Sequence, residues 1–341
     1  MIYHPDVAPK PDVLVGRPRA TFADYVAIAR PDHWIKHIFI VPGIVLAYVL
    51  APSHVGFSLL SVVLGFASAA AIASANYVIN EWLDADFDAH HPTKSRRPAV
   101  AKAMSPTLIY AEYCALSLFG LGVAWLVSPM FFAVSIVFLI SGLIYNVQPL
   151  RSKDKVYVDV ITESVNNPIR LMLGWAMVDP GTVPPSSLVL SYWMGGAFLM
   201  TVKRFAEYRN IVSAHGREAL HLYRRSFRHY TEKRLLIVSF LYAQMAAFFL
   251  AIFLIKYRVE YLISFPLFAL LFATYLWIGL KEDSTAQAPE RLLKEPVLVG
   301  VVAVLVVVFV GLTFIDLPFL TTLYDPLFLN FTWAERGGAG L

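Results

Sequence analysis

Charged residues are scarce in this chain. They make up 15% of its 341 residues, whereas hydrophobic residues make up 58%; in an average soluble protein charged residues alone reach about a quarter. This composition argues against an ordinary water-soluble domain and predicts that lipid surrounds most of the chain. The net charge is only +4, and Lys and Arg fall in short clusters between apolar runs. That pattern is typical of membrane loops and argues against a nucleic-acid partner.

Cysteine is almost absent. The single cysteine, Cys114, lies in an apolar segment, so one chain can form neither a disulfide nor a cysteine metal site. We interpret Cys114 as a small buried hydrophobic residue. Residues 1–33 contain scattered prolines and charges but no continuous apolar core. We therefore expect no cleavable signal peptide, and we predict that the first membrane helix directs insertion.

Apolar stretches of about 20 residues, the length that crosses the hydrocarbon of a bilayer, recur along the chain. We predict an all-α integral membrane protein with nine transmembrane helices, at residues 34–52, 57–83, 105–127, 129–148, 157–178, 186–206, 234–255, 260–280 and 296–316. The fifth is the least hydrophobic. Its polar residues, at positions that share one helical face, are Asp159, Glu163, Asn166, Asn167 and Arg170.

The distribution of basic residues predicts the orientation. With the N-terminus in the cytoplasm, all but four of the 28 Lys and Arg residues lie on the cytoplasmic side, as the positive-inside rule requires. Without the fifth helix, the basic cluster between the sixth and seventh helices would lie on the wrong side. We therefore predict a cytoplasmic segment at 1–33, one membrane domain at 34–316 and a non-cytoplasmic tail at 317–341.

Acidic and amide residues recur at the end of the second predicted helix. Asn76, Asn80, Asp84 and Asp88 have a four-residue spacing and follow one helical face. Asp84 and Asp88, one turn apart, can ligate Mg²⁺ through oxygen and leave coordination positions for water and phosphate. The structural alternative is a solvated helix end whose carboxylates pair with the basic residues that follow.

Other candidate residues lie near the same side of the predicted bundle. Ionisable residues on a membrane helix are costly unless they face a cavity or a partner, so the polar face of the fifth helix is a functional candidate, with a purely structural network as its alternative. Basic residues suited to phosphate, with one neighbouring acid, are Lys36, Lys94, Arg97, Lys153, Lys203, Arg204 and Glu207. We interpret Arg209 and the later LYRRSFRHY cluster as anchors at anionic headgroups.

With these residues side by side, the chain resembles the UbiA superfamily of intramembrane prenyltransferases. Asn80, Asp84 and Asp88 match the first acidic signature of that family, N-D-x-x-D-x-x-x-D, with Glu81 in place of its first Asp. NEWLDADFDAHHPTKSRRP, RPDHWIKH and KRFAE resemble the decaprenyl-phosphate phosphoribosyltransferase branch, whereas ESVNNPIRLMLGW differs from its second signature. The resemblance covers nearly the whole chain and implies a nine-helix bundle with a cytoplasmic-side active-site cavity.

The resemblance to that branch implies Mg²⁺-dependent transfer of 5-phosphoribose from phosphoribosyl diphosphate to a polyprenyl phosphate, with release of diphosphate. On this interpretation Asp84 and Asp88 hold the metal and Asn80 orients them. Tyr145, Asp159 and Glu163 contact the sugar or a second metal. The remaining substrate-binding candidates are Lys36, Lys94, Arg97, Lys153, Asn166, Arg170, Lys203, Arg204 and Glu207.

Two alternative functions stay open. An aromatic prenyltransferase would use the same metal site but would move a polyprenyl group from its diphosphate to an aromatic ring. A cation-coupled transporter would use the carboxylates as its ion site. The expected partners are the bilayer of a bacterial cytoplasmic membrane, a polyprenyl lipid and a diphosphate-bearing co-substrate, without nucleic acid; the oligomeric state stays open.

Overall fold

The structure, a computed structural model, describes residues 17–50, 58–89, 94–220, 224–282, 284–287 and 289–324. Throughout these ranges the long elements are helices, which confirms the predicted all-α fold. His90, His91 and Pro92, part of the predicted acidic signature, lie outside the described residues. Residues 1–16 of the predicted N-terminal segment and residues 325–341 of the predicted tail also lie outside them.

Thirteen α-helices are described, several of which begin with proline, a residue suited to the first turn because it lacks an N–H. They are α1 Phe22–Ile28, α2 Val41–Leu50, α3 Leu59–Asp88, α4 Pro98–Ala101, α5 Pro106–Val127, α6 Pro129–Asn146, α7 Val158–Ser164, α8 Asn166–Val178, α9 Ser186–His215, α10 Glu232–Tyr257, α11 Phe265–Leu280, α12 Pro296–Thr313 and α13 Pro318–Tyr324. Two 3₁₀-helices, Pro31–Ile40 and Val259–Ser264, lead directly into α2 and α11.

Seven helical stretches among the described residues are long and apolar enough to cross a membrane. They are Phe22–Leu50, Leu59–Asp88, Pro106–Val127, Pro129–Asn146, Glu232–Tyr257, Val259–Leu280 and Pro296–Thr313. Each contains or overlaps one predicted span. The predicted fifth and sixth spans correspond to α7 with α8 and to α9, which are helical but more polar. The count of nine spans therefore stays a prediction.

The predicted fifth helix is interrupted at Val165, between α7 and α8. Pro168 cannot donate the backbone hydrogen bond that a continuous helix would direct to the carbonyl of Ser164. The Ser164 hydroxyl instead donates to Ile161 O at 2.9 Å, and Asn166 Nδ2 donates to Glu163 O at 3.0 Å. Such side-chain bonds compete with the helical ladder, so the polar residues of this segment lie on two short helices.

Close helix packing depends on small residues at two contacts. A Cβ atom added to Gly43 in α2 would lie 2.1 Å from the carbonyl oxygen of Leu171, and one added to Gly174 in α8 would lie 2.1 Å from that of Ile40. Glycine therefore lets the backbones of α2 and α8 touch. Cys114 differs from the prediction, since it is exposed on α5 rather than buried. The side of α5 that packs on α3 is formed by other residues, among them Gly120 beside Ile72.

Candidate active site

The end of α3 carries the predicted acidic stripe into the bundle. Because α3 continues to Asp88, five residues beyond the predicted boundary, the whole stripe is helical. Asn80 Nδ2 lies 3.5 Å from Asp84 Oδ2 and also donates to Oδ1 of Asn146 on α6. One turn earlier, Asn76 donates to a backbone carbonyl of α6 at 3.0 Å. The predicted face therefore packs against α6.

Asp84 lies between two cations from the segment that follows α6. Its Oδ1 atom is 2.6 Å from Lys153 Nζ and 2.9 Å from Arg151 Nη2. Lys153 Nζ also donates to Asn146 Oδ1 at 2.8 Å, and its side chain is only 3% exposed. Burial lowers the pKa of Lys153 to about 8 against the opposing effect of the Asp84 carboxylate. Lys153 thus lies directly at the predicted metal ligand.

Asp88 and Glu81 form a second acidic pair with basic partners. Arg97 Nη1 donates to Asp88 Oδ2 at 2.6 Å, and Lys94 Nζ lies 4.0 Å from Asp88 Oδ1. Glu81 is buried, and its Oε2 atom is 3.9 Å from both Arg30 and Arg97. The structure therefore brings the predicted phosphate ligands Lys94 and Arg97 together with Asp88.

A third cluster joins α6, α7 and α9. The Tyr145 hydroxyl donates to Glu163 Oε2 at 2.8 Å and accepts a hydrogen bond from Arg224. Arg204, nearly fully buried, pairs with Glu163 and donates to Glu207 Oε2 at 2.7 Å. The predicted residues Tyr145, Glu163, Arg204 and Glu207 thus form one connected network, to which Arg224 adds a cation.

Asp159 is the most enclosed carboxylate of this region, with no solvent exposure. It accepts hydrogen bonds from the hydroxyls of Tyr230 at 2.5 Å and Ser226 at 3.1 Å, and Arg204 Nε lies 3.5 Å away. These contacts tie the segment before α10 to α7. In the described arrangement Asp159 connects α7 to Arg204 on α9 and to the segment that holds Ser226 and Tyr230. Its contact with a sugar or a second metal stays a prediction.

The two remaining predicted phosphate-binding lysines, Lys36 and Lys203, lie in different surroundings. Lys36 Nζ is 2.9 Å from His33 Nδ1 and 5.5 Å from the ring centre of Tyr77 on α3. Lys203 Nζ lies 3.6 Å from Glu163 Oε1. Lys203 therefore belongs to the Tyr145 network, whereas Lys36 lies beside His33 and α3.

Asn166 and Arg170 lie apart from the carboxylates of the other predicted residues. Asn166 Oδ1 accepts a hydrogen bond from Ser141 at 3.3 Å, and Arg170 Nη1 lies 3.4 Å from Asn166 O. The guanidinium of Arg170 packs 5.4 Å from the ring centre of Phe138. The structure thus divides the predicted polar face of the fifth helix between two environments.

Sequence reasoning assigned no site role to several residues that contact the site. Asn146 and Arg151 contact the acidic stripe, while Arg224, Ser226 and Tyr230 contact the third cluster. The interpretation of the LYRRSFRHY cluster as a headgroup anchor is wrong for Arg224, which bonds inside the site. Its position in a dense basic cluster was the only available signal, because the partner Tyr145 is 79 residues away.

The donor atoms around the acidic stripe fit a hard divalent cation. Asp84 and Asp88 supply carboxylate oxygens one turn apart, and Asn80 and Asn146 supply amide oxygens nearby. Among the described residues no group of three His, Cys, Asp or Glu side chains forms a metal cage. A two-carboxylate site that leaves positions for substrate phosphate and water is the arrangement that Mg²⁺ commonly uses.

The helical bundle encloses carboxylates, arginines and lysines at one end, and the basic side chains there are of the types that bind phosphate oxygens. A sequence model described as the UbiA prenyltransferase family matches residues 39–294. The chain belongs to this family, which confirms the resemblance seen in its motifs.

Named relatives agree with this assignment, and a solved structure shares the fold. The chain is 28% identical over 198 residues to decaprenyl-phosphate phosphoribosyltransferase of Mycobacterium tuberculosis strain H37Rv, a match that spans 58% of this chain and 64% of that enzyme. It is 28% identical over 137 residues to protoheme IX farnesyltransferase of Bacillus mycoides, spanning 39% and 44% of the two chains. A UbiA homologue from Archaeoglobus fulgidus, solved with GPP and Mg²⁺, has the same fold, with a TM-score of 0.64 at 20% identity over 86% of this chain and 100% of that one.

Proposed function

We propose that this protein transfers 5-phosphoribose from phosphoribosyl diphosphate to a polyprenyl phosphate and releases diphosphate, with Mg²⁺ as cofactor. The observation that carries the proposal is the number of cations around the acidic stripe. Asp84 contacts Lys153 and Arg151, and Asp88 contacts Arg97 and Lys94. The mycobacterial phosphoribosyltransferase among the relatives supports the same reaction.

The basic side chains suit a donor that carries charge at both ends. Phosphoribosyl diphosphate has a diphosphate on C1 and a phosphate on C5 of the sugar. Lys153, Arg151, Lys94 and Arg97 can contact the first group while the cations of the third cluster contact the second. A prenyl diphosphate offers only one charged end, and its tail requires an apolar wall.

Mg²⁺ bound by Asp84 and Asp88 would neutralise charge on the departing diphosphate. Side chains of this protein would orient the reaction. Asn80 contacts Asp84, Asn146 contacts Lys153, and Tyr145 holds Glu163, which would contact the sugar. The C1–oxygen bond to diphosphate breaks as a phosphate oxygen of the lipid bonds to C1. Because that oxygen is already anionic, the transfer requires no strong base.

The second candidate is an aromatic or other prenyl transfer at the same site. The farnesyltransferase relative and the GPP-bound structural neighbour favour it. In this reaction the departing diphosphate would leave an allylic carbon, and the third cluster of cations would have no second phosphate to bind. The two candidates therefore differ in the donor rather than in the metal site.

The deciding experiment incubates purified protein in detergent with Mg²⁺, phosphoribosyl diphosphate labelled in the ribose, and a polyprenyl phosphate. The label extracted into organic solvent is then measured. Label that enters the organic phase, and is lost with EDTA and in Asp88→Asn, supports phosphoribosyl transfer. The matched control is Asp86→Asn, the same change on an exposed residue of α3 outside the stripe, and it should retain transfer.

Absence of label in the lipid, together with diphosphate release from a polyprenyl diphosphate and an aromatic acceptor, would replace the proposal with the second candidate. Loss of transfer in Asp86→Asn as well as in Asp88→Asn would contradict the specific assignment of the stripe.

A further inference from the structure

A short segment between α9 and α10 brings an arginine into the site. This 224–230 segment consists of Arg224, the 3₁₀-helix Arg225–His229 and Tyr230. Phe227 and Tyr230 are 2% and 1% exposed, and they pack in an apolar cluster with Phe205 of α9. Burial of two aromatic rings stabilises the packed position of the segment. Arg224 is therefore held at a defined place beside the third cluster.

Asp159 of α7 fixes the same segment through both oxygens of its carboxylate. Its Oδ1 atom accepts a hydrogen bond from the Tyr230 hydroxyl at 2.5 Å, and Oδ2 accepts one from the Ser226 hydroxyl at 3.1 Å. The Tyr230 hydroxyl also accepts a hydrogen bond from the backbone N–H of Tyr157 at 2.9 Å. Asp159 has no solvent exposure. Its carboxylate therefore anchors the segment and offers no exposed oxygen to a substrate.

Arg224 differs from Arg204, the other arginine of the third cluster, in its partners. Arg204 pairs with the carboxylates of Glu163 and Glu207. Arg224 is half-buried, donates to the Tyr145 hydroxyl and lies 5.9 Å from the centre of that ring. Within the described part of the chain no carboxylate oxygen lies within 4 Å of its guanidinium. Because a guanidinium has five N–H donors, Arg224 can bind an anion without breaking an ion pair to any described residue.

We propose that Arg224 binds the C5 phosphate of the donor and that the Asp159–Tyr230 hydrogen bond positions it for this contact. A phosphate monoester matches the planar fork of a guanidinium. Through their shared partner Tyr145, Arg224 lies beside Glu163, the residue proposed to contact the sugar. The inference rests on the proposed function, since it names a ligand of its donor. It gives Asp159 a positioning role in place of the predicted contact with a sugar or a second metal.

The test is equilibrium binding to the full-length protein in detergent, measured without turnover. The probes are ribose 5-phosphate, diphosphate with Mg²⁺, and geranylgeranyl phosphate as an anionic lipid. Arg224→Gln should weaken binding of ribose 5-phosphate by about 10-fold or more, the usual effect of losing a charge-assisted hydrogen bond. Binding of the other two probes should not change. Arg228→Gln, the same substitution on an exposed residue of the same segment, is the matched control and should keep all three affinities.

A double-mutant cycle tests whether Tyr230 acts through Arg224. Tyr230→Phe removes only the hydroxyl that donates to Asp159, and it should weaken binding of ribose 5-phosphate by about 3-fold or more. In the Arg224→Gln background the same substitution should have no further effect, because residues that act as a unit are not additive.

Two further variants keep the cycle decisive. Tyr208→Phe is the control, since Tyr208 packs in the same apolar cluster and its hydroxyl makes no hydrogen bond to the described residues; its affinity for ribose 5-phosphate should stay unchanged. Arg224→Lys keeps the charge and should retain part of the affinity, also where Arg224→Gln yields little folded protein. Equal weakening by Tyr230→Phe in both backgrounds would show a merely structural role and overturn the positioning.

The outcomes separate this inference from the proposed reaction. If Arg224→Gln binds ribose 5-phosphate as well as the unaltered protein does, or loses geranylgeranyl phosphate or diphosphate instead, the assignment of Arg224 is wrong even when label transfer succeeds. If binding of ribose 5-phosphate depends on Arg224 but no polyprenyl phosphate receives label, the assignment stands and the proposed reaction fails. An unaltered protein that binds diphosphate but no ribose 5-phosphate would overturn the proposed donor together with this inference.

Discussion

At the scale of single residues, Asp84 is the position on which the site depends most directly. It lies within 2.9 Å of two cationic nitrogens and 3.5 Å of the Asn80 amide. A metal bound there would have to share the carboxylate with Lys153 and Arg151 or displace them. On the proposed function, Asp84 would therefore link the metal, the basic side chains and the departing diphosphate.

Replacing Asp84 with Asn should lower turnover by about 100-fold or more, because stabilisation of developing charge by a bound metal is worth several kcal/mol. The amide keeps the size of the side chain, so folded protein should still be recovered. Rates of diphosphate release, measured beside Asp86→Asn as the matched control, test this. Near-normal turnover of Asp84→Asn would remove the metal-site assignment.

Lys153 gives the site a dependence on pH. Burial lowers its pKa from 10.5 to about 8, so a phosphate contact that needs the cation should weaken as pH rises through about 8. Stability should change in the opposite direction: between pH 8 and 10.5 the unfolded chain binds the proton that the folded chain has released, so the contribution of Lys153 to stability rises with pH. Profiles of kcat/KM and of Tm against pH measure the two effects.

Lys153→Arg is the control for that profile. Arginine keeps its charge throughout this range, so the fall in kcat/KM near pH 8 should disappear or move to higher pH. A fall that persists unchanged in this variant would show that another group titrates.

At the scale of helices, the contact between α2 and α8 should be sensitive to a single methyl group. Gly174→Ala would place its Cβ 2.1 Å from the carbonyl of Ile40, and backbone cannot yield as a flexible side chain does. We expect a loss of about 1–3 kcal/mol, seen as a lower Tm in detergent. Gly122→Ala on α5, where no atom lies within 4 Å of the added Cβ, is the control and should be neutral or stabilising.

Most apolar helices could be predicted from sequence because hydrocarbon thickness fixes their length. The predicted span 105–127 and the observed Pro106–Val127 differ by one residue at the start. The break at Val165 was not predicted, because the prediction used only the spacing of the polar residues. It did not consider that Pro168 lacks the N–H needed to continue the helix. The 3₁₀-helix at the start of the first span, Pro31–Ile40, was also missed, because hydropathy does not distinguish helix types.

The site was predictable only where its residues share one helix. The stripe from Asn76 to Asp88 follows from four-residue spacing, and the structure shows it as one face. Contacts across the fold, such as Arg224 with Tyr145 or Tyr230 with Asp159, join residues more than 70 positions apart. No local sequence pattern encodes such pairs. The charged residues of the third cluster could therefore be identified from sequence, but their partners could not.

At the scale of the whole molecule, the fold explains why polar chemistry is placed among membrane helices. The acidic stripe and the third cluster lie where α3 and α6 end and where α9 approaches its end. On the proposed function, the water-soluble donor would enter from this side, and the polyprenyl lipid would approach laterally between helices without leaving the bilayer. The orientation of this open end relative to the cell is a prediction from the basic residues, and it decides which compartment supplies the donor.

That orientation and the number of spans can be tested together by cysteine labelling in intact cells. In a Cys114→Ser background, Arg217→Cys follows α9 and Val183→Cys lies between α8 and α9, where Val183 is 65% exposed. With the N-terminus inside and nine spans, a membrane-impermeant maleimide should label Val183→Cys from outside and should reach Arg217→Cys only after the cells are opened. The reverse pattern would invert the topology. Equal labelling of both positions in intact cells would show that α9 does not cross the bilayer, and would contradict the nine-helix arrangement along with the cytoplasmic location of the site.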